Sequence, residues 1–158
     1  MTRGGTRAVD YLQQSGVEFV VHEYEVGEID ATYGGSVADG LGVSRDRLFK
    51  TLVALVDDRP VVGIVPVSGR LSLKALARAS GGKRAVMAEP AAAERLTGYV
   101  VGGISPFRQT RSLPIIVDEG VLAHPTIFVS GGRRGLQLEM APGDLIRLTG
   151  AKVDSVAG

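Results

Sequence analysis

Apolar positions along the chain change period every ten residues or so, which predicts short elements of mixed type. Over residues 6–14, Ala8, Val9, Tyr11 and Leu12 recur at helical spacing and Gly16 follows as a stop, the mark of a helix. Residues 18–24 read as a strand. Residues 34–41 read as a short helix closed by Gly42, with Ser44 placed to open a further helical turn. Two apolar runs, 49–56 and 61–67, flank Asp57-Asp58-Arg59-Pro60, which is a hairpin pattern. A helix over 72–80 stops at Gly81-Gly82, a strand follows at 83–87, and Pro90 opens a helix reaching Leu96. Strands are expected at 113–117, 125–130 and 136–140, and Pro142 opens a last helix towards Leu148. These segments never settle into regular βαβ units. The expected fold is therefore α+β: one domain over residues 1–158, with a mixed, mostly antiparallel, curved and barrel-like sheet and helices packed outside it.

Composition narrows the chemistry. The chain has 158 residues, 22 of them glycine, with no cysteine, a length natural for one domain. Without cysteine there is no disulfide, no thiolate metal site and no cysteine nucleophile. Two histidines, His22 and His124, are too few for a histidine metal cluster and read as structural or surface residues. No metal and no cofactor is expected. No run approaches the ~20 apolar residues of a membrane span, and no signal-like apolar core follows the polar start, so the expectation is a cytoplasmic protein without a membrane partner. Dinucleotide, Walker and zinc-protease motifs are missing. Ser105 follows Gly103 by two positions, but Phe107 stands where a nucleophile elbow needs glycine. An enzyme made from these residues works mainly by positioning and backbone electrostatics.

The formal charge of +1 hides a gradient: residues 1–58 are net −5, whereas residues 59–117 are net +7. Arg70, Lys74 and Arg78 fall at i, i+4 and i+8, one stripe along a helix, with Lys83 and Arg84 just beyond. Such a stripe is either a solvated face or a track for nucleic-acid phosphates. No aromatic residue interleaves with it, which argues against stacking of single-stranded bases there.

Three sites offer chemistry, each with an ordinary structural alternative. Lys50 begins a strand whose two faces are both apolar, so it either holds an anion or polarises an ester carbonyl at a pocket rim, or snorkels to water. Gly102-Gly103-Ile104-Ser105-Pro106 is either a turn or a stiff loop whose N–H groups converge as an oxyanion hole. Ser130-Gly131-Gly132-Arg133-Arg134-Gly135 is either a glycine turn or an N–H nest with two guanidiniums for a phosphate. Tyr24 and Tyr33 either line a pocket or pack in the core.

Taken in order, Phe49-Lys50-Thr51-Leu52, Val65-Pro66-Val67-Ser68-Gly69, the stretch from Thr97-Gly98-Tyr99 to Ser105-Pro106, and Ile127-Phe128-Val129-Ser130-Gly131-Gly132-Arg133-Arg134-Gly135-Leu136 resemble the YbaK/EbsC group of aminoacyl-tRNA editing proteins, relatives of the editing domain of bacterial prolyl-tRNA synthetases. The resemblance spans residues 6–152. It implies hydrolysis of the ester between a wrong amino acid and the 3′-terminal adenosine of a mischarged tRNA. Cysteinyl-tRNA(Pro) is the first expectation; alanyl-tRNA(Pro), another mischarged tRNA, or a non-catalytic module binding a tRNA end or a synthetase are the alternatives. By position, Lys50 resembles the group's essential lysine and Thr51 its pocket neighbour. The loop Gly102, Gly103, Ile104, Ser105, Pro106 matches the loop that faces the ester carbonyl. Tyr24, Tyr33, Ser130 and Gly131 match positions that shape the pocket, and Gln137 stands where the group often has aspartate. The implied chemistry for a cysteinyl ester is attack by the substrate's own thiol, leaving a thiolactone; an alanyl ester needs a held water. Arg70, Lys74, Arg78, Lys83, Arg84, Arg133 and Arg134 are the expected tRNA contacts, with prolyl-tRNA synthetase as a possible source of tRNA identity.

Overall fold

A computed structural model of the chain describes residues 5–25 and 33–158, and of residues 33–36 the backbone alone. Local signals set most element ends. Helix α1 (Arg7–Ser15) starts where the Thr6 hydroxyl accepts the Val9 N–H at 3.1 Å, and it buries Ala8, Val9 and Leu12. Strand β1 (Phe19–Glu23) and helix α2 (Tyr33–Leu41) follow. Strands β2 (Phe49–Val56) and β3 (Arg59–Pro66) form a hairpin in which Val56 faces Arg59. Its loop is therefore only Asp57-Asp58, shorter than the four residues expected. Both sit at positive φ, 47° and 67°, the signature of the tight turn whose twist suits a hairpin. Pro60 is tolerated inside β3 because the next strand joins β3 only at Val62 to Ile64.

Helix α3 (Leu73–Ala79) begins at Ser72, whose hydroxyl accepts the Ala75 N–H. Strand β4 (Ala85–Met87), helix α4 (Pro90–Thr97), strand β5 (Ile115–Asp118) and a 3-10 turn (Glu119–Ala123) come next. Strands β6 (Ile127–Ser130) and β7 (Leu136–Met140), helix α5 (Pro142–Thr149) and strand β8 (Lys152–Asp154) complete the order.

The strand pairing is mixed and mostly antiparallel, as expected; among the described residues it makes two sheets that do not close on each other. One is β1-β7-β6; the other is β4-β2-β3-β5-β8, with β5 parallel to both β3 and β8. The reason lies in β2. Its edges are taken by β3 along its length and by β4 at Ala54 to Val56, and among the described residues the other sheet is met just ahead of β2, through a parallel bridge between Leu48 and Phe128.

The main core fills the space between the sheets under α1, with Val9, Leu12, Phe49, Val53, Val129 and Leu138 almost fully buried. Each such side chain contributes about 1.5–3 kcal/mol. A second cluster packs α3, through Leu76 and Ala77, on β2 and β3. A third, of Val37, Ala38, Leu48 and Phe128, seats α2 on the outer face of the three-stranded sheet. Among the described residues no helix is long and apolar enough to cross a membrane.

Candidate active site

The site grows from the seam between the sheets. Paired residues point the same way, and alternate residues along a strand share a face. Since Leu48 bridges Phe128, the side chains two residues on, Lys50 and Ser130, look out on the same side. Ser130 is opposite Gln137, and Gln137 is opposite His22 on β1, with Tyr24 two residues further. Tyr24 stays in the ladder through its N–H to the Gly135 carbonyl, 3.1 Å. Lys50, Ser130, Gln137 and Tyr24 therefore share the face that α2 covers. Tyr33 opens α2, but its side chain lies outside the described residues.

Contacts on this face are specific. The Gln137 amide Nε2 donates to the Tyr24 hydroxyl at 3.2 Å, while its Oε1 is buried with no partner among the described residues. On the opposite face of β2, with Phe49 and Val53, the Thr51 Oγ1 is likewise buried with no partner among the described residues. Buried polar atoms are nearly always bonded, so the Gln137 Oε1 on this face has capacity for a further partner. Lys50 is half-buried, and burial, with the nearby Arg70 guanidinium second, lowers its pKa below the ordinary 10.5. An ammonium kept partly from water beside a second cation gains most from an anion.

Arg70 corrects an expectation. Helix α3 begins only after Ser72, so Arg70 is not on it; its backbone instead pairs with Gly158 and its charge reaches Lys50. The stripe of three bases shrinks to Lys74 and Arg78, both exposed. Lys83 and Arg84 lie beyond the helix, their backbone N–H groups held by the Asp57 carboxylate at 3.0 Å each. That pairing holds the Asp57 carboxyl below the usual carboxylate range.

The two glycine loops lie against each other. A Cβ on Gly103 would meet the backbone of Arg133 and Arg134 at 2.8 Å, so only glycine fits there. Gly102 adopts φ 89°, open to glycine and costly for other residues. The Arg134 Nε donates to the Val101 carbonyl at 2.9 Å and ties the loops together. Details differ from the expected roles. The Gly103 N–H is engaged by the Val100 carbonyl at 2.8 Å, so it is no oxyanion donor; among the described residues the Gly102 and Ile104 N–H groups have no acceptor. Ser105 is fully buried and its hydroxyl accepts the Phe107 N–H, which makes it a brace of the loop, with Pro106 buried beside it. In the other turn, the Gly131 N–H bonds Leu136 and the Gly132 N–H bonds the Ser130 hydroxyl, so both donors serve the turn and form no free nest. Arg133 is exposed and lies 3.9 Å from Glu23.

One network carried no signal in the sequence. Glu139 accepts from Thr126 at 2.6 Å, pairs with His22 at 2.9 Å and lies 3.4 Å from Arg47. The Thr126 hydroxyl, and then His22 and Arg47, hold its carboxyl below the usual value against the opposing effect of burial. His22, expected to be structural or at the surface, braces the sheet beside the site, with its ring on Phe128.

Comparisons with known proteins point to one family. The aminoacyl-tRNA editing domain profile matches residues 31–148. An Enterococcus faecalis protein named as a candidate Cys-tRNA(Pro)/Cys-tRNA(Cys) deacylase, EbsC, is 37% identical over 149 residues, 94% of this chain and 90% of that one. The Escherichia coli multifunctional Ser/Thr-tRNA deacylase ProXp-y is 32% identical over 117 residues, 71% of this chain and 67% of its own. A crystal structure described as that of a candidate trans-editing enzyme for prolyl-tRNA synthetase superposes with a TM-score of 0.81 at 27% identity, over 96% of each chain. With that profile covering most of its length and a relative at 37% identity over 94% of it, the chain belongs to the aminoacyl-tRNA editing family.

Proposed function

We propose that the chain acts in trans as an aminoacyl-tRNA deacylase, hydrolysing the ester between a wrong amino acid and the 3′-terminal adenosine of a tRNA, with cysteinyl-tRNA(Pro) as first substrate. The observation that carries this is the convergence of Lys50, Ser130, Gln137 and Tyr24 on one face at the sheet seam. The face supplies a desolvated cation and a buried amide oxygen, and no thiol, which suits a reaction that needs orientation more than a protein nucleophile. Holding reacting groups in place is worth about 7–11 kcal/mol in favourable cases.

For a cysteinyl ester, the substrate sulfur adds to its own carbonyl carbon. The bond to the ribose oxygen breaks, that oxygen takes the thiol proton, and a thiolactone leaves. Lys50 holds the negative charge on the carbonyl oxygen or on the adjacent phosphate, and the Gly102 and Ile104 N–H groups, which have no acceptor among the described residues, are the backbone donors proposed for the oxyanion. An ester without a thiol takes a held water in place of the sulfur. This second route is favoured by the resemblance to the Ser/Thr-tRNA deacylase, and a pocket separates small side chains by only ~1–3 kcal/mol per methylene.

The test is deacylation of tRNA(Pro) carrying cysteine, alanine, serine or threonine. Cleavage of the cysteinyl ester with release of the thiolactone is the expected result. Faster cleavage of a thiol-free ester moves the assignment to the water route, and no cleavage above buffer overturns the deacylase. Lys50→Ala should abolish activity with an unchanged circular dichroism spectrum, since no other residue of the Lys50, Ser130, Gln137 and Tyr24 group carries a positive charge.

A further inference from the structure

A second cleft lies just beyond the glycine loop, about 210 Å³ in volume and lined by Tyr11, Pro106, Arg108, Arg111 and Ser112 among others. Among the described residues its lining contains two arginines and no carboxylate. Arg108 is the telling residue. Its backbone sits at φ 55°, in the left-handed region where glycine is at ease and an arginine costs of order 1–2 kcal/mol. Strain of this kind persists where a side chain is needed at that point. The guanidinium is folded back over the Tyr11 ring, 5.5 Å from its centroid, and donates to the Gln14 Oε1 at 3.3 Å. The loop is braced from behind, with the Gln109 amide donating to the Ser105 carbonyl at 3.0 Å and the Arg111 N–H to the Leu96 carbonyl at 3.0 Å. Arg111 itself is exposed. The result is a rigid floor with an aromatic ring, a stacked guanidinium and a second cation at the rim.

We propose that this cleft seats one nucleotide of the single-stranded tRNA 3′ end, its phosphate on Arg111 and Arg108 and its base on the Tyr11–Arg108 stack. The proposal rests on the deacylase reading, because it takes the ester to lie at the Gly102–Gly103 loop. Arg108 follows Gly103 by five positions, so the two places are at most about 18 Å apart. A single strand covers that in two or three nucleotides. The volume also fits, lying below the ~300 Å³ at which sites for whole small molecules begin, as a seat for one base requires. Base–aromatic stacking contributes about 1–3 kcal/mol and is tolerant of base identity, so this seat secures the strand without choosing the tRNA.

Arg108→Gly and Arg111→Gln test it, separately and together, by tRNA(Pro) binding across a salt series and by steady-state deacylation. Glycine relieves the backbone at position 108, so the thermal midpoint of Arg108→Gly should hold or rise while tRNA binding weakens about tenfold, as for loss of a hydrogen bond to a charged group. KM should rise with kcat near wild type, and the slope of log K against log salt should become shallower by about 0.7 for each single-strand phosphate that is no longer neutralised. Wild-type affinity and slope in the double variant would overturn the proposal. So would a double variant that loses binding of inorganic phosphate or AMP but keeps tRNA affinity, since the cleft would then serve a free ligand. If wild-type protein cleaves no ester yet these variants still lose tRNA affinity, the seat stands and the deacylase reading falls.

Discussion

At the scale of single residues, the seam carries two atoms that a purely structural account leaves unexplained. The Thr51 Oγ1 and the Gln137 Oε1 are buried without partners among the described residues. An unsatisfied buried group costs about 1–3 kcal/mol, so Thr51→Val, which keeps shape and β-branching, should raise stability by about 1 kcal/mol in urea unfolding. If the hydroxyl serves the substrate, the same variant loses deacylation; a less stable Thr51→Val would show that the hydroxyl has a partner in the fold. Lys50 gives a pH signature. Its pKa is lowered, so its ammonium is lost at lower pH than that of an ordinary lysine. kcat/KM, corrected for uncatalysed ester loss, should then fall as pH rises through that value, while Lys50→Arg holds its charge and should not show that limb. Glu139 acts in the opposite range. Its folded pKa lies below the unfolded 4.5, so its stabilisation is present above 4.5 and is lost as pH falls through the folded value. Glu139→Gln should flatten the decline in thermal midpoint as pH falls below 4.5, where the wild-type carboxylate takes up its proton.

At the scale of elements, most boundaries were legible because their causes are local. Thr6 and Ser72 cap helices with their hydroxyls, Pro90 and Pro142 open helices, and Gly16 closes one in the left-handed region. What was not legible depends on partners far away in the chain. The division into two sheets follows from β4 and β6 sharing one edge of β2, and nothing near β2 announces it. Strand β8 is three residues long and exists because β5 is beside it. Arg70 departs from its expected place for a local reason: helical spacing runs through Ser72, the residue that starts the helix. Within the site, the residue types and order were readable, but the roles of N–H groups were not. Whether Gly103 donates to a substrate or to Val100 is decided by the turn it makes. Gly103→Ala tests the close approach that remains. Its Cβ would lie 2.8 Å from the facing backbone, so the loops must part, and overpacking of this kind costs about 1–3 kcal/mol. Deacylation should fall more than stability does, because the Gly102 and Ile104 donors move with the loop; unchanged kcat would remove the loop from the chemistry.

For the molecule as a whole, the basic middle third serves two different ends, and charge counts alone merge them. Lys74 and Arg78 stand exposed on α3, where they meet solvent or a nucleic-acid backbone. Arg70 is set apart from them beside Lys50 and depresses its pKa. Removing a base from the first group weakens a distant contact, whereas removing Arg70 changes the electrostatics of the site itself. Arg70→Gln should therefore move the alkaline limb of kcat/KM upward, since one of the two causes lowering the Lys50 pKa is gone. Lys74→Gln with Arg78→Gln should leave that limb in place and reduce the salt slope of tRNA binding by about 0.9 for each duplex phosphate that these bases had neutralised. If both variants shift only the salt slope, Arg70 belongs with the outer patch and Lys50 titrates without it. If both shift only the pH limb, α3 does not meet the tRNA, and the strand must be held from the glycine-loop side alone.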